Sequence, residues 1–325
     1  MSTPFLSCDW GTSGFRLRLL ARPGLTVLGE LQRPEGVGQL GVTPGMAAAE
    51  RATLFATHWQ QRVAELSAQV GQELTGLPAV LSGMASANVG WHEVPYATCP
   101  FQLDGRDWRW VRLSPPGHQG PVFIGSGLRS ADDIMRGEES QAIGLLADPA
   151  LASYAADSLL LLPGTHSKHL RLQGGLITDF ATHMTGELYA VLGQQSLLRH
   201  SLAGAHFALP ADEPVFVGGV RLGLDLELGQ ALFRVRTGHV LHGRQGAAAA
   251  ATLSGLLLGA ELRGLLAQTP ATLPLLLAAA PTLTPLYQCA AAVAGLTPRL
   301  RTLPASALEH ALSHAHATFL AHQGL

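Results

Sequence analysis

An eleven-residue string near the start of the chain returns about halfway along it. Asp9-Trp-Gly-Thr-Ser-Gly-Phe-Arg-Leu-Arg-Leu19 aligns with Leu162-Pro-Gly-Thr-His-Ser-Lys-His-Leu-Arg-Leu172, Gly-Thr on Gly-Thr and Leu-Arg-Leu on Leu-Arg-Leu. The offset is 153 residues in a chain of 325. Each copy follows a short apolar run and leads into a strand-like run, so each reads as strand, glycine turn, strand. A duplicated unit is what a two-lobed fold with equivalent turns facing one cleft would show; the alternatives are chance identity over a short window and ordinary hairpins with polar turns.

The rest of the chain supplies the elements such halves need. Residues 26–32 read as a third strand, 46–70 as a helix free of internal Gly and Pro, 79–82 as a buried strand, and 137–147 as a helix. In the second half, 158–162 is a buried strand. Residues 169–172 and 176–180 flank Gln173-Gly174-Gly175 as a hairpin. Residues 185–198, 247–266 and 304–322 read as helices, and 273–279 as a strand. The class is α/β, with an N-terminal lobe over 1–157 and a C-terminal lobe over 158–325.

Composition narrows the function. Charged residues are 14% of the chain, against about 25% in an average globular protein, and the net charge is −2. No clustered basic face for nucleic acid is expected. Residues 264–298 carry no charge, but five prolines interrupt them, so short buried elements are expected rather than a membrane span. Three scattered cysteines form neither a disulfide framework nor a metal motif. The first apolar run is short and ends at Asp9, so no leader is expected, and the chain is read as cytoplasmic. Of 21 Lys plus Arg, only Lys168 is a lysine.

The turns carry the first chemical reading. A Gly-Thr turn between strands exposes backbone N–H groups and a hydroxyl, a concavity suited to phosphate oxygens. Asp9 precedes the first turn and could hold Mg²⁺, which prefers carboxylate and phosphate oxygen. There is no Gly-x-x-x-x-Gly-Lys-Ser/Thr loop, and no Gly-x-Gly-x-x-Gly opens a helix after a strand. Glu138 and Glu139 open a helical run. They either complement its dipole or include a base that deprotonates a substrate hydroxyl. The loop from Ser82 to Trp91, with Met84 and Asn88, suits a polyhydroxylated ligand or is a glycine-rich loop around a packed Trp. Arg16 and Arg136 could meet a substrate carboxylate through the guanidinium fork. Thr185 and Glu187 form a further polar cluster, in which Thr185 could instead be a helix N-cap. His310, His314 and His316 lack the partners a metal site would need.

Several strings together resemble the 2-dehydro-3-deoxygalactonokinase family, in its order and spacing. They are Asp9-Trp-Gly-Thr-Ser13, Ser82-Gly-Met84 with Asn88-Val-Gly-Trp91, Met135-Arg-Gly-Glu-Glu139, Leu162-Pro-Gly-Thr-His-Ser-Lys168, Asp179-Phe180 with Met184-Thr-Gly-Glu-Leu188, Phe233-Arg-Val-Arg236, and Leu253 through Glu261. The resemblance implies an actin-like, hexokinase-like ATPase fold of two duplicated ribonuclease H-like lobes with ATP in the cleft. It implies phosphorylation of 2-dehydro-3-deoxy-D-galactonate to its 6-phosphate, with ATP and Mg²⁺ as cofactors. Asp9 would organise Mg²⁺. Gly11, Thr12 and Ser13 would form the first phosphate loop, and Gly164, Thr165 and His166 the second. Glu138, with Glu139 second, would be the base. The adenosine segment would fall at 277–282, where Ala280 replaces an expected Gly, a residue that reaches positive φ more easily. Lys168 would reach toward a phosphate or the departing ADP. The rival readings are a kinase of the gluconate-derived acid, an exopolyphosphatase-like phosphatase whose glutamates activate water, and a nucleotide-dependent clamp without turnover. The expected partners are the sugar acid and ATP, not nucleic acid or membrane, and a homodimer is left open.

Overall fold

The computed structural model describes residues 4–43 and 45–325. Its contacts divide the chain into two units. Unit 1 is Met1–Ala156, Gln173–Asp179 and Ser306–Leu325, and unit 2 is Asp157–Leu172 and Phe180–Ala305.

Unit 1 is built on a six-stranded sheet. Its strands are β1 (Phe5–Trp10), β2 (Phe15–Leu20), β3 (Val27–Arg33), β4 (Ala79–Gly83), β5 (Trp110–Leu113) and β6 (Val122–Gly125), in the order β3-β2-β1-β4-β6-β5. β1 pairs antiparallel with β2 and parallel with β4, and β4 pairs parallel with β6. A central strand is covered on both faces, which is why β1 is apolar over most of its length. On one face lies α1 (Ala48–Val70), whose Phe55, Trp59, Val63 and Leu66 recur at helical spacing and pack into the cluster of Trp10, Phe15 and Trp91. α1 ends at Gly71, where φ is 67° and the N–H donates to the Ser67 carbonyl. α2 (Glu138–Leu146) also belongs to this unit.

A division into two consecutive halves leaves out one feature. The last helix, here α8 (Ala305–His322), packs Phe319 and Leu320 against Phe5, Leu20, Val80 and Phe123 of the first sheet. His316 Nδ1 lies 2.8 Å from Ser7 Oγ, and Arg18 Nη1 donates to the Glu309 carbonyl at 2.8 Å. Burial pushes the His316 imidazole down to about 3, so the ring is neutral. The sheet of unit 1 therefore gets its second cover from the far end of the sequence.

Unit 2 repeats the plan. Its strands are β7 (Asp157–Leu162), β8 (Ser167–Gln173), β9 (Leu176–His183, of which Phe180–His183 lie in this unit), β10 (Leu275–Leu277) and β11 (Leu300–Thr302); they run in the order β11-β10-β7-β8-β9 within a six-stranded sheet whose remaining strand is Phe101–Gln102. β10 is parallel to both β7 and β11. Element by element this order matches β6-β4-β1-β2-β3, and the two copies of the duplicated string are the β1–β2 and β7–β8 hairpins. The chain is thus α/β with two sheets of like topology, the duplicated organisation expected from the string. Around the second sheet stand α3 (Thr185–Gln195), α4 (Glu213–Asp225), α5 (Leu228–His242), α6 (Ala247–Gln268) and α7 (Thr284–Val293). α6 is long and apolar enough to cross a membrane, but it is the central helix of unit 2, with 72% of its most apolar window buried. Four glycines let α4 and α6 approach closely. A Cβ on Gly219 or Gly223 would meet backbone of α6, and one on Gly255 or Gly259 would meet backbone of α4. The uncharged stretch 264–298 resolves into the end of α6, β10 and α7.

Candidate functional site

In unit 1 the candidate residues gather where β1 and β4 end side by side. The Gly11 N–H donates to the Gly14 carbonyl at 2.9 Å, closing a tight turn. Residues 36–38 brace it from outside: Val37 and Gly38 donate to the carbonyls of Gly11 and Thr12, each at 2.9 Å. A Cβ at Gly36 would overlap the backbone of Thr12 and Ser13. Thr12 and Ser13 are exposed, and among the described residues no acceptor takes their amides. The turn is braced by backbone hydrogen bonds and presents N–H donors outward, which is what an anion requires.

Asp9 sits just before this turn, paired in register with Arg16 on one side and Ser82 on the other. Two glycines bring the glutamates near. Gly83 has φ 84°, and a Cβ there would lie 2.9 Å from the Trp10 carbonyl and 3.4 Å from Asp9 Oδ1. Gly137 has φ 115°, and its Cβ would lie 3.9 Å from Gly83 Cα. A side chain at either position would be strained by its positive φ, and one at Gly83 would also crowd the Trp10 carbonyl. Burial pushes the Asp9 carboxyl up, Arg16 pulls it down and Glu138 pushes it up again, so it titrates above the usual carboxylate range. Glu139 is buried, and its two oxygens accept the Gly137 N–H at 3.0 and 2.8 Å. Burial, reinforced by Glu138, raises it to about 8. Glu138 is half-buried and accepts the Arg136 N–H at 3.1 Å.

The loop after β4 divides the remaining candidates. Ser82 is buried and its Oγ has no partner among the described residues, Met84 is half-buried, and Asn88 is exposed. Trp91 does not line an open loop. Its ring packs 6.1–6.4 Å from those of Trp10, Phe55 and Trp59, the packed alternative for this residue. Arg136 is also engaged: Nη1 donates to the Ser86 carbonyl at 2.8 Å and to Ser86 Oγ, and the guanidinium lies 4.4 Å over the Tyr96 ring. It staples the loop through one nitrogen of the guanidinium expected to meet a substrate carboxylate. Arg16 differs, because its buried Nε has no partner among the described residues.

In unit 2 the second turn, 163–166, joins β7 to β8, with Thr165 and His166 exposed. The first turn of α3 sits directly on it. The Glu187 N–H donates to the Thr165 carbonyl at 3.0 Å, and a Cβ on Gly186 would lie 2.6 Å from the Gly164 carbonyl. His166 Nε2 and Glu187 Oε2 are 2.5 Å apart. Thr185 and Glu187 therefore accompany the second turn in unit 2, whereas Ser82, Met84 and Asn88 belong to unit 1. Lys168 does not extend from the turn toward a phosphate. It is buried on β8, and Nζ donates to Thr182 Oγ1 on β9 at 2.7 Å. Ala280 takes no positive φ, so the β10–α7 turn has no need of the glycine expected there. Its carbonyl accepts the N–H groups of Leu283 and Thr284 at 2.9 and 3.0 Å. Beside the second turn opens a cavity whose lining includes Gly164, Gly186, Tyr189, Phe207, Leu286 and Tyr287. Its lining is mainly apolar, with Thr185 and Ser254 adding hydroxyls, the make-up of a site for a flat heterocycle.

A family model described as 2-keto-3-deoxy-galactonokinase matches residues 9–315. The chain belongs to this family. A protein of Escherichia coli (strain K12) named 2-dehydro-3-deoxygalactonokinase is 34% identical over 273 residues, covering 81% of this chain and 80% of its own length. One of Rhizobium meliloti (strain 1021), named Probable 2-dehydro-3-deoxygalactonokinase DgoK1, is 35% identical over 269 residues with the same coverage. A crystal structure from Sinorhizobium meliloti assigned to 2-dehydro-3-deoxygalactonokinase superposes with a TM-score of 0.81 at 32% identity, covering 99% of this chain and 100% of that one.

The span matched to the 2-keto-3-deoxy-galactonokinase family opens at Asp9 and takes in both turns, both glutamates and the cavity. It also takes in residues whose roles do not show in the sequence. Glu261, in the middle of apolar α6, is 3% exposed. It accepts hydrogen bonds from Tyr287 (3.0 Å to each oxygen) and Thr185, and its Oε1 lies 2.9 Å from His169 Nε2. A lone acid within a run of Leu, Gly and Ala was the available signal, since a buried carboxylate needs partners.

Proposed function

We propose that the chain transfers the γ-phosphoryl group of ATP to a hydroxyl of 2-dehydro-3-deoxygalactonate, giving the 6-phosphate and ADP. The observation that carries this reading is Asp9 beside Glu138 at the end of a braced turn with free amides, in a chain of a sugar-acid kinase family. Phosphoryl transfer asks for positioning, charge neutralisation and a base, and little covalent chemistry. Glu138 is the better base. It is the more open of the two carboxylates, whereas both oxygens of Glu139 are turned back onto Gly137. Glu138 would take the proton of the attacking hydroxyl as the O–P bond forms and the bond to ADP breaks. Thr12 and Ser13 would hold phosphate oxygens through their amides, and the half-buried Arg16 would meet the substrate carboxylate with its guanidinium.

The residues fit Mg²⁺. Burial and the neighbouring Glu138 make Asp9 costly to ionise, a cost a bound cation would offset, and Mg²⁺ binds through one or two carboxylates together with phosphate and water. Asp9 would hold the ion, whose contribution is to neutralise phosphate charge. In unit 2 the cavity would take the nucleoside and Gly164, Thr165 and His166 its phosphates. The setting we infer is a soluble cytoplasmic enzyme.

ADP release tests the reading. It should require both Mg²⁺ and 2-dehydro-3-deoxygalactonate, and exceed release with the gluconate-derived acid. Equal release without any sugar acid would overturn it. Phosphate release from polyphosphate alone would favour the phosphatase reading instead.

A further inference from the structure

Glu261 belongs to a set of contacts that no catalytic step uses. Its carboxylate is buried in α6, and three other elements reach it: Thr185 from the first turn of α3, His169 from β8 and Tyr287 from α7. Ser167 of β8 adds a fourth group, with Oγ 2.9 Å from the Tyr287 hydroxyl, and the His183 ring lies 4.4 Å from that of His169. Burial pushes the carboxyl up, but the bonds from His169 and Thr185 and the fields of His169 and His183 outweigh it, so Glu261 titrates below its ordinary value and stays ionised. Burial, with Glu261 second, pushes the Tyr287 hydroxyl well up, so it stays protonated and donates.

The elements tied together are those that shape the cavity and the second turn. Thr185 and Tyr287 are themselves cavity walls. Thr185 is followed by Gly186, packed on the Gly164 carbonyl, and by Glu187, whose N–H donates to the Thr165 carbonyl. A displacement of Thr185 would therefore carry the second turn with it. We propose that Glu261 is a positioning residue: through Thr185 and Tyr287 it sets the second phosphate turn against the nucleoside cavity. It is buried and is not itself part of the cavity wall, so it acts through the groups it holds. A carboxylate suits the position because it is acceptor-only and every facing group can donate. An amide would oppose one of those donors with another. Groups held a fraction of an ångström out of place are enough to lower binding and rate.

The proposal rests on the kinase reading, and its test separates the two. Calorimetric titration with ADP and steady-state kinetics are run on the wild-type chain and on Glu261→Gln, Thr185→Val and Thr185→Ser. Thr185→Val keeps the shape and loses the hydroxyl, and Thr185→Ser restores it. Glu261→Gln and Thr185→Val should each weaken ADP binding and raise KM for ATP about tenfold or more, with KM for the sugar acid within twofold. Thr185→Ser should return ADP binding to within threefold of wild type. If Glu261→Gln does not fold, the Val/Ser pair decides alone. Unchanged ADP binding in Thr185→Val overturns the proposal, as does an equal rise in both KM values. A wild-type chain that binds no ADP overturns the kinase reading and the proposal together.

Discussion

Glu138 and Glu139 are neighbours in sequence, yet their surroundings give them different work. The half-buried Glu138 lies near Asp9, whereas Glu139 is buried and ties down the Gly137 N–H. Glu138→Gln should therefore cut turnover by about 10²–10⁴ and leave ADP binding within twofold, as single-turnover kinetics and titration will measure. Glu139 should show itself in stability. Its folded pKa of about 8 lies above the ordinary glutamate value of 4.5, so between the two the folded state holds a proton that the unfolded state has released. Its contribution is fully present below about 4.5 and is lost as pH rises toward 8. The difference in melting temperature between wild type and Glu139→Gln should drift in favour of the variant across that window, and a constant difference would refute the assignment. At this scale the sequence was legible in residue type more than in direction. The strings gave Asp9, Glu138 and the two turns as candidates, and the structure places Asp9 and Glu138 close together beside the first turn. Lys168 was conspicuous as the single lysine, but strand alternation puts Ser167 and His169 on one face of β8 and Lys168 on the other, where Thr182 takes its ammonium. The engagement of Arg136 with Ser86 and Tyr96 depends on a loop conformation that no local pattern encodes.

Among elements, those with one strong period were readable. α1, α6 and α8 lie within a few residues of their expected ends, and the 173–175 hairpin is where its glycines put it. The helices α4 and α5 are not expected from the sequence. In α4 the reason is physical: Gly218, Gly219 and Gly223 look like helix breakers, but two of them are where α6 comes closest. The side chain that would favour the isolated helix is excluded by its neighbour. Gly223→Ala, better for helix propensity alone, should thus destabilise by about 1–3 kcal/mol through overpacking. Denaturant titration reads this directly, and a gain in stability would mean that α4 and α6 are less closely set than described.

On the scale of the whole molecule, the duplicated string made the two-sheet plan legible, since one strand–turn–strand repeated at half-chain spacing leaves few other topologies. It could not show that α8 belongs to unit 1. An apolar face on a helix says that it must be covered and not by which sheet. Phe319, 5% exposed and stacked on Trp110, carries much of that docking. Phe319→Ala should cost about 3–5 kcal/mol, read as a lower denaturation midpoint with a change in Trp110 fluorescence. A further consequence concerns synthesis. The ribosome delivers residues in order, and domains ordinarily complete themselves from the N-terminus onward. Here Phe5, Leu20, Val80 and Phe123 wait for a helix made after every residue of unit 2. The half of the protein translated first is the half completed last, so a nascent chain must keep one apolar sheet face from wrong partners until α8 has left the exit tunnel.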